Sequence, residues 1–252
     1  MRSTQRPTPD GFPASMPPRY RELYQGEAVE EHAAIAARRE GAPAHVEIWR
    51  SLPKGGAIVC VVADDCAGLL SHISAALLVH AMDVVAAQAY TRDTPRGPEA
   101  FDLFWLRRSP PPASPISDAD VTRIVTTLRA LVAGEVTVDA VVRQARARPP
   151  PPPGATTRVT FDETADADVA VLTVETFDRP GLLLAITEAL SRARVQIIAS
   201  EASTTRDRRV LDRFTIVELD GAPIRAQRRG VLQIEVLSAI DAVTHRSSKA
   251  AS

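Results

Sequence analysis

Residues 176–186 read TFDRPGLLLAI, an Asp-Arg-Pro-Gly corner with apolar runs on both sides. In the run before it, Val169, Val171, Thr173 and Glu175 alternate with Ala170, Leu172 and Val174, the period-two pattern of a strand. After it, Leu182, Leu183, Ile186, Ala189 and Leu190 fall at helical spacing. The corner therefore joins a strand to an amphipathic helix. Asp178 fits the helix N-cap, with Pro180 tolerated in the first turn. Further on, VQIIASEAST (195–204) returns as a strand, RDRR (206–209) turns, and VLDRFTIVEL (210–219) pairs back as the second arm of a hairpin. Pro223 opens a second helical stretch carrying Val231, Ile234, Leu237 and Ile240.

The same order of elements occurs earlier in the chain. A shift of 113 residues lays AIVCVVADDCAGLLSHISAALLVHAMDVVAAQAYT (57–91) over AVLTVETFDRPGLLLAITEALSRARVQIIASEAST (170–204), with 12 of 35 positions identical. Asp65 falls on Asp178, and Gly68-Leu69-Leu70 on Gly181-Leu182-Leu183. AFDLFWL (100–106) then meets VLDRFTI (210–216). Ser117 caps the matching second helix, which carries Val121, Ile124, Leu128 and Leu131. An internal repeat of this length defines a module and its boundaries together.

Strand, helix, strand, strand, helix predicts an α+β protein: two ferredoxin-like βαββαβ sandwiches in tandem, with helices on one face of an antiparallel sheet. The last strand of each is poorly marked; EVTV (135–138) is the candidate in the first, and the second offers none after His245. Proline supplies the punctuation. A disordered tail is expected over 1–18, a helical lead-in over 19–45, a first domain over 46–147, a Pro-rich linker over 148–164 and a second domain over 165–252. The linker holds five consecutive prolines at 149–153, a stiff spacer. RRSPPPASP (107–115) reads as a loop inside the first domain. The pattern of YRELYQGEAVEEHAAIAARRE (20–40) suggests a helical segment packed on the modules.

Composition excludes several classes. A net charge of −1 over 252 residues creates no field that recruits nucleic acid or anionic lipid. The RDRR tip reads as a solvated turn, since RNA binding on such a sheet needs exposed aromatics and VLDRFTI offers Phe214 alone. No apolar run approaches the ~18 residues of a membrane span, and a cytoplasmic protein is expected. Cys60 reads as a buried free thiol. Asp65, Cys66, His72 and His80 match no common zinc spacing, so no metal is expected, and the two histidines read as helix-surface residues. No cofactor is implied, and no Ser/His/Asp or Cys/His constellation has supporting context.

The strand, DRPGLL (178–183), amphipathic helix and hairpin together resemble an ACT domain, the small regulatory module that senses amino acids. The first copy, DDCAGLL (64–70), departs from the signature by placing Cys66-Ala67 where Arg-Pro stands in the second. With the lead-in MPPRYRELYQGEAVEEHAAIAARREGAPAHVEIWRSLP (16–53), the pair is similar to the C-terminal region of bacterial PII-protein uridylyltransferase/uridylyl-removing enzymes. That resemblance implies an amino-acid sensor, with glutamine the expected ligand and nitrogen metabolism the setting. It also implies a site at an interface between two modules, of one chain or of two.

A helix N-terminus leaves N–H groups unpaired and carries partial positive charge, which suits a ligand carboxylate. Gly181 and Gly68 let a ligand approach the main chain. Asp178 and Asp65 either cap the helix or accept from a ligand ammonium. The candidate ligand-binding residues are Asp178, Arg179, Pro180, Gly181 and Leu182, with Asp65, Gly68 and Leu69 in the first copy.

No catalytic residue is implied. A nucleotidyltransferase needs a Gly-Ser loop with a carboxylate pair for Mg²⁺; the Asp-x-Asp pairs at 118–120 and 166–168 lack one, and no His-Asp dipeptide occurs for a metal-dependent uridylyl-removing site. Three functions stay open: an amino-acid sensor that reports to a partner enzyme, a dimerisation module without ligand, and the detached regulatory part of a uridylyltransferase. A homodimer is expected on any of them, because exposed sheet edges seek partners.

Overall fold

The computed structural model describes residues 11–108, 114–145, 156–164, 166–179, 181–205 and 207–249, with side chains as far as Val243. The proline run 149–153, Pro180 and Arg206 therefore lie outside the described residues.

Three short helices lead in: α1 (Phe12–Ser15), α2 (Pro18–Leu23) and α3 (Glu27–Ala37). The first half follows as β1 (Ala44–Ser51), β2 (Ala57–Asp64), α4 (Leu69–Val79), β3 (Met82–Gln88), β4 (Thr91–Thr94), β5 (Gly97–Arg108), α5 (Asp118–Val132) and α6 (Val138–Val142). The second half comprises β6 (Arg158–Asp162), β7 (Ala170–Phe177), α7 (Leu182–Arg192), β8 (Val195–Thr204), β9 (Arg209–Glu218) and α8 (Ala226–Lys249).

All nine strands join one antiparallel sheet in the order β1-β2-β5-β3-β8-β9-β7-β6, with β4 also on β5. Read outward from the central β3–β8 seam, the two halves have the same order: β3, β5, β2, β1 on one side and β8, β9, β7, β6 on the other. β2, α4 and β3 begin 113 residues before β7, α7 and β8. Finer features keep that spacing. Register shifts leave Val85 and Ile198 unpaired on the strand after each first helix, and Ala81 and Arg194 both take positive φ at the turn before it.

The fourth strand of each half corrects the expected βαββαβ order. EVTV is not a strand: Val136 is exposed, Thr137 caps α6 and Val138 is the first residue of that helix. The place beside β2 is taken from the N-terminal side by β1, and β6 does the same beside β7. β6 lies within the stretch expected to be linker. Its alternation explains why it is a strand: Val159 is buried in the second core while Arg158 is exposed.

The expected tail also needs revision, because Phe12 and Met16 are buried. Phe12 stands edge-on to Phe101 with ring centroids 5.3 Å apart. β2 shows why the first half needs a cover on both faces. Val59 and Val61 enter the core under α4 and α5, while Ile58, Cys60 and Val62 enter a second core under α1–α3. An unbroken apolar run is what burial on both faces requires. Inside the lead-in core, His32 sits among Tyr20, Tyr24, Trp49 and Phe101, and its Nδ1 meets Tyr20 Oη at 2.7 Å. Burial holds its imidazole neutral, pushed down to about 4. β9 alternates instead: Val210, Asp212 and Phe214 are buried, and Arg209, Leu211 and Arg213 are exposed on the face away from α7.

Helix α5 matches expectation, with Val121, Ile124, Leu128 and Leu131 buried and Asp120 accepting from the Ser117 N–H at 2.8 Å. Helix α8 does not. It buries Leu232, Val236 and Ile240, an i, i+4, i+8 stripe, and leaves Val231 54% and Ile234 66% exposed.

Candidate functional site

Each first helix starts at a glycine and not at the aspartate. Gly68 (φ +85°) and Gly181 (φ +76°) are the N-caps of α4 and α7, and their left-handed backbone is one that side chains with a Cβ rarely adopt. Asp65 and Asp178 lie three residues upstream, each tied by its own N–H to the hairpin of its own half: Asp65 to Pro98 O at 3.0 Å, Asp178 to Arg208 O at 2.7 Å. The sequence pattern did not show that anchoring, and the start of α7 at Gly181 takes Asp178 out of the N-cap role. Leu69 and Leu182, the first residues of their helices, give their N–H to Cys66 O and Arg179 O, both at 3.1 Å.

Edge-to-edge pairing at the seam brings each corner against the other half. Gln88 on β3 pairs with Glu201 on β8, its own equivalent one repeat later, so a pseudo-twofold axis passes between them. The glycines face the partner helix across this axis. A Cβ added to Gly68 would meet Ser191 Oγ at 3.0 Å, and one added to Gly181 would meet Leu78 Cδ2 at 3.5 Å. Leu78 and Ser191 are themselves equivalent positions.

Two clefts result, of about 520 and 550 Å³ including their open mouths. The first joins Asp65, Gly68, Leu69 and Thr91 to Thr187, Ser191 and Gln196 of the second half. The second joins Asp178, Arg179, Gly181 and Leu182 to Leu78, Asp83 and Val84 of the first half. Seven of the eight candidate residues therefore line two related clefts; Pro180 is outside the described residues. The sequence puts the candidates at the corners, and the resemblance implies an interface between two modules of one chain or of two; here each cleft is lined by both halves of one chain.

Reading the sequence missed one pair. Asp102 on β5 and Asp212 on β9 line the floors of the first and second clefts, and each is 3% exposed. Asp102 Oδ1 accepts from the Tyr90 N–H at 3.2 Å, and Asp212 accepts from the Ser203 N–H. Burial pushes both carboxyls up to about 8, reinforced by the nearby charges of Asp65 and Asp178 respectively. The available signal was the alignment of AFDLFWL with VLDRFTI, which puts an aspartate in the middle of two apolar strands.

The corner charges are handled differently. Asp65 Oδ2 accepts from Thr91 Oγ1 at 2.6 Å and the side chain also from Gln196, while burial raises its carboxyl. Asp178 faces the Arg107 guanidinium at 3.6 Å, and Arg107 also meets Asp83 at 3.5 Å. Arg179 is buried, with Nε donating to Phe177 O at 3.2 Å and Nη2 to Thr176 Oγ1. It therefore holds the second corner to β7, a structural task that Cys66, exposed at the equivalent place, does not perform.

Neither His72 of α4 nor His80 at its C-cap lies on an open surface. His72 and His80 are half-buried, with His72 Nδ1 enclosed and His80 Nε2 2.8 Å from Thr127 Oγ1. Among the described residues no three His, Cys, Asp or Glu side chains come together as a metal site would require, and no helix is long and apolar enough to cross a membrane.

The fold and site define an α+β protein with paired clefts at helix N-termini. No family model matches the chain. Distant relatives do. The bifunctional uridylyltransferase/uridylyl-removing enzyme of Rhodospirillum rubrum is 28% identical over 75% of this chain and 20% of its own length. The enzyme of the same name from Ruegeria pomeroyi is 26% identical over 91% and 26%, and that of Gluconobacter oxydans 30% identical over 74% and 20%. The chain thus spans a fifth to a quarter of the length of these relatives. The crystal structure of an unknown protein from Galdieria sulphuraria aligns at 15% identity over 76% of this chain and 92% of that one, with a TM-score of 0.22, which defines no shared fold.

Proposed function

We propose that this chain is a regulatory amino-acid-binding protein, built of two ACT-like modules, with glutamine the first ligand to test and nitrogen regulation its setting. The observation that carries the reading is the pair of related clefts, each made from one half's helix N-terminus and the other half's strand. Such a cleft offers both ends of an amino acid a counterpart: backbone N–H groups and dipole for the carboxylate, aspartate for the ammonium. A ligand bridging the halves favours whichever packing of the seam fits it, and so passes its presence to whatever reads that packing.

The relatives' uridylyl transfer is not proposed for this chain. It spans only a fifth to a quarter of those enzymes, and a Gly-Ser loop with its carboxylate pair is missing from its sequence. Val231 and Ile234, exposed on α8, favour a second reading in which the module mainly assembles with another protein or with its own copy.

Thermal unfolding against the twenty amino acids separates the two. Ligand at a hundredfold its dissociation constant adds about 2.7 kcal/mol to the native state. The sensor reading expects a raised midpoint for glutamine, or for one or a few other amino acids. A flat panel contradicts it and leaves the assembly module.

A further inference from the structure

The two clefts are equivalent in backbone and differ in charge. At the edge of the second, Arg107 stands between Asp178 and Asp83, a cation already paired with the aspartate that an incoming ammonium group would use. In the first, the residues equivalent to Asp83 and Arg107 are Gln196 and Val217, paired across β8 and β9 as Asp83 and Arg107 are across β3 and β5. Among the described residues lining the first cleft none carries positive charge. Among the described residues no arginine, lysine or histidine comes within ion-pair distance of Asp65, or of Asp102 beneath it.

The remaining linings differ in the same sense. Where the first cleft has Ser191 and Thr187, the second has Leu78 and Ser74. The Ser191 hydroxyl lies next to the α-carbon of Gly68, at the start of α4, placed to donate to a carboxylate resting on that helix end. Leu78 at the matching place beside Gly181 offers no hydrogen bond.

We infer that the ligand's ammonium group is received by Asp65 in the first cleft, and that the second cleft takes none because Arg107 already occupies that role. The inference rests on the ligand-binding reading above and sharpens it: one site per chain, in the copy whose DDCAGLL departs from the DRPGLL signature. The intact signature then belongs to the structural corner, where Arg179 is bound up in β7. The first cleft is free of that duty.

The test maps binding on the ¹⁵N-labelled full chain, using methylammonium chloride with sodium chloride as control, and glutamine separately. The expected result is a saturable shift of the Gly68, Thr91 and Gln196 signals by methylammonium, with Gly181 and Thr204 unmoved. Asp65→Asn should weaken it about tenfold or more, the effect of losing a charge-assisted contact, while Asp93→Asn, an exposed change on β4 outside both clefts, leaves it unchanged. Because the map is made on the parent chain, it decides the matter even if a variant misfolds.

Methylammonium shifts centred on Gly181 and Thr204, shifts of equal size in both clefts, or none in either would overturn the inference. Methylammonium in the first cleft with no amino acid binding anywhere keeps the inference and overturns the sensor reading. Glutamine seated in the second cleft does the reverse.

Discussion

Asp102 and Asp212 show how much one residue's surroundings decide. Each sits on a central strand with a backbone N–H as its donor, and each is held largely protonated near neutral pH by burial. An aspartate in the unfolded chain titrates near 3.9. Between roughly pH 4 and 8 the native state therefore keeps protons that the unfolded chain releases, and stability falls as pH rises through that window. In the double variant Asp102→Asn, Asp212→Asn that loss should shrink, read as urea midpoints at pH 5 and pH 8. An unchanged slope would mean that both carboxyls ionise freely in the native protein. These aspartates were visible in the sequence only as two members of an alignment, since nothing in a strand pattern says that a buried polar residue will border a cleft. The glycines were legible for a physical reason: a corner that must turn sharply into a helix needs positive φ, and Gly68 and Gly181 supply it. Placing the N-cap on Asp178 failed because the chain enters the helix only at Gly181, three residues on.

At the level of elements, strand and helix periods transmitted well where one face is buried. β7, α7, β8 and β9 were readable from alternation and from the Leu182, Ile186, Ala189 stripe. Helix α8 misled because its apolar residues outnumber the positions its core can accept. Val231, Ile234, Leu237 and Ile240 form one plausible stripe, whereas Leu232, Val236 and Ile240 form the one that meets the sheet. Leu232→Ala should cost about 2–5 kcal/mol by leaving a cavity, and Ile234→Ala should stay within about 0.5 kcal/mol as an exposed change. Equal costs in chemical denaturation would show that the helix is rotated from the register described. The edge strands β1 and β6 were missed for another reason. Expectation looked for a fourth strand after the second helix, while the sheet accepts one equally well from the N-terminal side, because an antiparallel neighbour to β2 needs only the short turn at 52–56.

For the whole molecule, the decisive feature is the seam. Pairing of Ala86, Ala87 and Gln88 with Ser203, Ala202 and Glu201 makes two half-sheets into one, and Leu184 of α7 reaches into the first half's core. The halves should therefore unfold together. Trp49 and Trp105 both lie in the first half, so their fluorescence reports on that half alone, while far-ultraviolet circular dichroism reports on both. Coincident urea transitions are expected; a fluorescence midpoint separated from the dichroism midpoint would show two independent units. The repeat made both halves legible in advance. The edges that meet, the strands after each first helix, were indicated only by the resemblance, because seam residues such as Ala87 and Ala202 read as ordinary strand positions.

The most direct test of the proposed function is hydrogen exchange of the intact chain with and without glutamine, followed by mass spectrometry of peptides across the seam. Slower exchange confined to residues 66–72, 89–91 and 187–198, the two walls of the first cleft, is the expected result. Unchanged exchange across both clefts with glutamine and with every other amino acid would contradict it, whereas protection around residues 181–184 in place of these segments would keep the sensor reading and contradict the assignment of the site to the first cleft.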